Sequence, residues 1–206
     1  MSAQNSLSQD AVGLLILEPD KELMAQRDGI LFPGGLVRDM DFAAELNPDW
    51  HAYTMIDVWL NYDDGPKGLG IRAAESARDG AFAGFYPGAY LAYSDYKLYS
   101  LRRFSKYCVC SSGVRAKSSD NTSVRDKMFC DATPGDILTY EWFWKHRAWG
   151  PFMNAADKPS EFNVRVDRTA GWIYNGILWL PCYFTRNIRK DEWLVWPYDP
   201  KALITL

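Results

Sequence analysis

The chain has 206 residues, 48% apolar and 24% charged, with a formal net charge of −3. That length and apolar content suit one compact domain with a proper core and argue against a disordered chain. The charge gives no global basic field, which disfavours direct nucleic-acid binding by phosphate neutralisation.

In chain order, residues 1–9 are polar, and Ala11–Leu17 is an apolar run that could pair as a strand before Pro19 ends it. Asp20–Arg27 has weak helical character, Phe32-Pro33-Gly34-Gly35 is a turn, and Asp39–Leu46 fits a short helix stopped before Pro48. His51–Tyr62 reads as a strand, with His51 a surface or hydrogen-bonded residue rather than a metal ligand. From Asp63 the pattern changes. Asp63-Asp64-Gly65-Pro66 is a loop, and the strands beyond it are short, aromatic-rich and broken by Gly, Pro or Asp, the pattern of a β-rich fold. Tyr107–Cys110 and Asn163–Val166 are predicted strands, Ser118–Thr122 is a polar loop, and Ile137–Trp149 stays open between helix and strand. The change at Asp63 divides the chain into an N-terminal extension over 1–62 and a domain over 63–206 on which it packs.

Cys108, Cys110, Cys130 and Cys182 show neither dense pairing nor a CxxC cluster, which supports neither a disulfide scaffold nor a structural zinc. No apolar run approaches ~18 residues and no basic segment leads into an apolar core at the start. The expectation is a soluble, intracellular protein without a membrane or a metal, nucleus and cytoplasm being equally open. Of the 9 Trp, seven crowd between Tyr140 and Tyr198. Most such rings build core, although aromatic walls can also hold an alkyl ammonium group.

Three blocks carry the chemistry. The first is Gly68-Leu69-Gly70-Ile71-Arg72-Ala73, then Arg78-Asp79-Gly80 and Gly84-Phe85-Tyr86-Pro87-Gly88. It lacks the third glycine of a dinucleotide fold and the Lys-Ser/Thr pair of a P-loop. The second is Asp131-Ala132-Thr133-Pro134-Gly135, then Gly150-Pro151-Phe152-Met153-Asn154-Ala155-Ala156-Asp157, then Asn163-Val164. The third is Thr185-Arg186-Asn187-Ile188-Arg189-Lys190-Asp191-Glu192-Trp193-Leu194-Val195-Trp196-Pro197-Tyr198. Each has a plain structural alternative: tight backbone at the glycines, an Asx-turn at Asn154, a buried ring at Tyr198.

Taken in order, the blocks resemble the SET domain of protein lysine methyltransferases, over Gly68 to Tyr198. The resemblance implies a mainly β, SET-like β-clip fold of short strands in several small sheets, with a pseudoknot-like C-terminal segment and few short helices. It implies S-adenosylmethionine as cofactor, approached by the backbone at Gly68, Leu69 and Gly70 and anchored at Asn154 with Ala155 beside it, while Asn163 steadies the surrounding backbone. Ala155 and Ala156 stand where the family has His and Ser. With a one-residue gap at Pro197, Tyr198 takes the place of the catalytic tyrosine; without a gap Pro197 occupies it. Tyr86 and Trp196 are implied as walls of the substrate channel, and the expectation is a SET-like domain without the post-SET cysteine cluster, since no cysteine stands between Tyr198 and Leu206. The implied activity is N-methylation of lysine in a histone or another basic protein or peptide, a chromatin-type function. The alternatives are a catalytically inactive SET-derived protein-binding module and a small β-rich structural or coat protein.

Overall fold

The computed structural model describes residues 29–40, 47–63, 68–92, 108–111, 115–118, 123–124, 128–132, 138–156 and 158–197. The elements are β1 Ile30–Phe32, β2 Gly35–Leu36, β3 Thr54–Met55, β4 Val58–Asp63, β5 Gly68–Ala73, β6 Phe82–Ala92, β7 Cys108–Ser111, β8 Arg115–Ser118, β9 Ser123–Val124, β10 Met128–Asp131, α1 Tyr140–Lys145, β11 Asn154–Ala155, β12 Val164–Val166, β13 Ala170–Tyr174, β14 Ile177–Phe184 and β15 Trp193–Trp196. The fold is mainly β, in several small sheets, with few helices among the described residues. One sheet has the order β1-β4-β5-β15-β11, a larger one runs β7-β10-β6-β14-β13-β8-β9 with β12 also on β14, and β2 pairs with β3.

The larger sheet is organised by β14, whose run Ile-Leu-Trp-Leu-Pro-Cys-Tyr-Phe is buried at every position but Tyr183. A continuous apolar run of that length has no face for water, and β14 lies between β6 on one edge and β12 and β13 on the other. Asn175 and Gly176, at φ 49° and 74°, make the two-residue turn from β13 into β14 that the right-handed twist of a hairpin favours. Between the sheets lies an aromatic core in which Phe85 packs on Trp50 and Trp179 at centroid distances of 5.2 and 5.6 Å.

The expected strand over His51–Tyr62 is interrupted. Asn47-Pro48-Asp49-Trp50 forms a capped 3-10 turn, with the Asn47 side chain accepting from the Asp49 N–H, and β3 and β4 are separated at Ile56-Asp57. Asp57 is the cause: its carboxylate accepts from the Gly34 N–H at 2.5 Å, its N–H donates to Glu75, and its carbonyl accepts from Ala74. Those bonds take its backbone out of any ladder. Of Asp39–Leu46, residues 41–46 lie outside the described residues, and Val37–Asp39 forms a 3-10 turn. Ala11–Leu17, Asp20–Arg27 and 119–122 also lie outside them. The open segment Ile137–Trp149 contains the helix α1, started by the Thr139 hydroxyl, which accepts from the Trp142 N–H at 3.1 Å. His146 ends the helix, stacked on Trp142 at 4.3 Å.

The 62/63 boundary falls inside β4, which pairs with β5 along its full length. Phe32, Val37, Trp50 and Val58 belong to the same core as Phe85 and Trp179. The described part of 29–62 therefore shares a sheet and a core with the described part of 63–197.

Candidate functional site

β5 and β15 bring the first and third sequence blocks together, because Trp193 pairs with Arg72 and Leu194 with Ile71. β11 adds the second block, lying parallel to β15 with Asn154 opposite Val195 and Ala155 opposite Trp196. Alternation then sorts the side chains: Ile71, Ala73, Leu194 and Trp196 are buried in the core, so Gly70, Arg72, Trp193 and Val195 face the other way.

On that outer face Gly70 is covered. A Cβ placed on it would collide with the Asn154 amide nitrogen and stand 3.0 Å from Cζ3 and 3.3 Å from Cε3 of Trp193. Only a glycine lets the amide and the indole close over the strand. Asn154 is half-buried, and its side chain makes no hydrogen bond with a described residue. A carboxamide carries two donors and two acceptor positions, and here they remain available beside a bare stretch of backbone. The donor set therefore fits a polar ligand such as the implied cofactor.

Asn163 is the opposite case: fully buried and fully engaged. Its Nδ2 donates to the Trp193 carbonyl at 2.7 Å and to Glu192 at 3.2 Å, and its Oδ1 accepts from the Val195 N–H at 2.8 Å. Its backbone N–H donates to the Val195 carbonyl, and its carbonyl accepts from the Thr185 N–H. Val195 thus gives both backbone groups to Asn163, whereas the neighbouring Trp196 carbonyl accepts from Ala156 at 3.4 Å. Adjacent residues of a strand direct their hydrogen bonds to opposite edges. The loop between Ala156 and Asn163 therefore crosses β15 from one edge to the other, a pseudoknot-like clasp.

Glu192 anchors the turn into β15. Burial pushes its carboxyl up, but the Arg186 guanidinium at 2.5 Å, the Arg189 N–H at 2.9 Å and the Asn163 amide outweigh burial and hold it below the usual range. Asp191, at φ 67°, completes the turn, and its carboxylate stands 3.4 Å from Arg72.

On the core side, Tyr86 and Trp196 touch, their rings 5.4 Å apart and tilted by 50°. Both are buried, at 2% and 4% exposure. Gly70 and Asn154 come together on one face, and Tyr86 and Trp196 on the other. Gly68 opens β5 opposite Asp63, and Leu69 points toward the core rather than sharing the face of Gly70. Ala155 is half-buried against Trp196. Tyr198 lies outside the described residues, one position beyond Pro197. The Gly84–Gly88 motif sits in the middle of β6, because β14 continues the pairing past it, with Tyr86 opposite Leu180 and Gly88 opposite Leu178.

Two contacts were not foreseen. Trp193 belongs to the third block, and its period-two relation to Val195 could have placed it on the outer face. Trp149 lies against Gly84, at φ 150°, where a Cβ would stand 3.1 Å from its indole nitrogen; no motif pointed to it. Among the described residues no cluster of His, Cys, Asp and Glu could hold a metal ion, and no helix is long and apolar enough to cross a membrane. Cys182 is buried, which pushes its thiol well above the usual range, and Cys130 is buried with its Sγ 3.5 Å from the Leu178 carbonyl.

No family model and no curated protein matches the sequence. Among solved structures, the chain is similar to the methyltransferase domain of the human histone-lysine N-methyltransferase SETMAR, with 19% identity and a TM-score of 0.47 over 72% of this chain and 46% of that one. The match thus spans less than half of the human chain's length. It is also similar to a candidate histone methyltransferase of Plasmodium falciparum, with 16% identity and a TM-score of 0.38 over 69% of this chain and 92% of that one.

Proposed function

We propose that this chain is a SET-like, S-adenosylmethionine-dependent protein lysine N-methyltransferase. The observation that carries the proposal is the convergence of Gly70 and Asn154, which are 84 positions apart in sequence, on one face of the five-stranded sheet, with the asparagine amide left without a partner among the described residues. The sequence resemblance assigns cofactor roles to these same two residues, and it assigns a backbone role to Asn163, whose hydrogen bonds fit it.

S-adenosylmethionine would supply an activated methyl group on a sulfonium. Asn154 would hold it by its amide, and Gly70 leaves the room that the amide needs. Tyr86 and Trp196, on the opposite face, would wall the approach of the lysine. A lysine amine is protonated in water, with a pKa of about 10.4, and must be neutral to attack. Aromatic walls remove water from it and favour the neutral form, so orientation can do much of the work without a strong base. The Tyr198 hydroxyl would orient the reacting groups. The substrate would be a lysine-bearing basic protein or peptide such as a histone.

The Ala155-Ala156 pair and Pro197 favour a second reading, a SET-derived module that binds partners and does not react. Labelled methyl transfer to mixed histones separates the two. The enzyme reading expects label on lysine and its loss in Tyr198→Phe with the fold intact. Cofactor binding without label on any basic protein supports the module, and an unchanged rate in Tyr198→Phe rejects that residue's role.

A further inference from the structure

The outer face of the five-stranded sheet carries one large side chain at the Gly70–Asn154 junction, Trp193. Two atoms of its benzo ring, Cζ3 and Cε3, bear on the Gly70 backbone beside the Asn154 amide nitrogen. The ring is half-buried, and it makes no ring contact and no hydrogen bond with a described residue. Trp50, Trp142, Trp179 and Trp196 behave differently, each packing against an aromatic neighbour. An indole is the largest apolar surface a side chain offers, and a half-buried one with no partner on its open side is a surface on which a flat or cationic group can rest. Trp193 is also held in place. Its carbonyl accepts from Asn163, its Cα pairs with Arg72, and Glu192 before it is fixed by Arg186.

Chemistry supplies the complement. Ala155 and Ala156 follow Asn154 and offer neither a ring nor a hydroxyl, and the Ala156 N–H is already committed to the Trp196 carbonyl. Beside the amide, the indole is what remains to contact a ligand over a large area. We propose, resting on the cofactor reading above, that Trp193 is a cofactor-contacting residue, its open ring face packing against the bound S-adenosyl ligand. Two parts of that ligand could meet the ring: the flat adenine and the positively charged sulfonium. Both are π-face contacts, and the neutral product S-adenosylhomocysteine tells them apart because it keeps the adenine and lacks the charge.

The test is calorimetric titration of S-adenosylmethionine and of S-adenosylhomocysteine into the full chain and three variants, with tryptophan emission recorded in parallel. Base–aromatic stacking is worth about 1–3 kcal/mol per base, which converts to an affinity loss of roughly 5- to 150-fold. Trp193→Leu is expected to lose affinity in that range, and Trp193→Phe to recover most of it. Trp59→Leu should stay within about twofold of the parent, since Trp59 stands on the same face opposite Arg72 but on the far side of β5 from Trp193. A binding-linked change in emission should be present in the parent and lost in Trp193→Phe. Loss for both ligands assigns the contact to the adenine, and loss for S-adenosylmethionine alone assigns it to the sulfonium; either supports the proposal. Trp193→Leu that is folded by circular dichroism and binds both ligands as the parent does would overturn it, while leaving the cofactor reading intact. A parent chain that binds neither ligand overturns both.

Discussion

Two asparagines, nine positions apart at the two ends of one loop, occupy opposite extremes of hydrogen bonding. Asn163 is fully buried and uses its amide and its backbone to fasten β15. Asn154, across the same strand, is half-buried and forms no side-chain hydrogen bond with a described residue. A buried amide must be satisfied within the protein or it costs stability. A half-buried one can stay open only where solvent or a ligand completes it. One residue type thus does two jobs, and the bonds it makes tell which.

The largest effect expected from breaking this contrast is at Asn163. Asn163→Ala would leave the Val195 N–H and the Trp193 carbonyl without their partner, at about 1–3 kcal/mol for each buried group, so urea unfolding should show a loss of roughly 2–6 kcal/mol. A loss below about 0.5 kcal/mol would mean that water replaces the amide at little cost and that the clasp is not a stabilising element.

Gly70→Ala comes next. The added Cβ meets the Asn154 amide and the Trp193 ring, and overpacking of this kind costs about 1–3 kcal/mol. Asn154 is expected to be displaced, and affinity for S-adenosylmethionine to fall more than tenfold. Retained affinity would show that the amide need not sit over that backbone to bind.

A smaller effect is expected from acid. Glu192 has a folded pKa below its ordinary value of about 4.5, so its contribution to stability is fully present above that value and is lost as pH falls through the lowered folded pKa. Urea midpoints should therefore drop as pH falls below about 4.5, and Glu192→Gln should flatten that part of the dependence. Parallel curves for the two proteins would place the acid sensitivity elsewhere.

Much of the fold was legible because its signals are local. The short aromatic strands after Asp63 and the punctuating glycines are signals of that kind. Asn154 and Gly70 were singled out from sequence only through a resemblance, and their proximity was not legible, since nothing in either segment encodes that β15 will lie between β5 and β11. Trp193 escaped notice for the same reason, its meaning arising from register with Arg72 two blocks away. The break between β3 and β4 was illegible because the carboxylate of Asp57 bonds backbone 23 residues upstream. Tertiary hydrogen bonds of that kind leave no trace in periodicity.

The smallest effect on stability, and the most informative on function, belongs to Asn154. Removing an amide that holds nothing in place should change stability by no more than about 0.5 kcal/mol. Calorimetric titration of S-adenosylmethionine into the parent chain and into Asn154→Ala, with unfolding midpoints measured on the same samples, is the most direct test of the central claim. The expected result is measurable binding to the parent and at least tenfold weaker binding to the variant, at an unchanged midpoint. Equal affinities, or no binding to either protein, would contradict it.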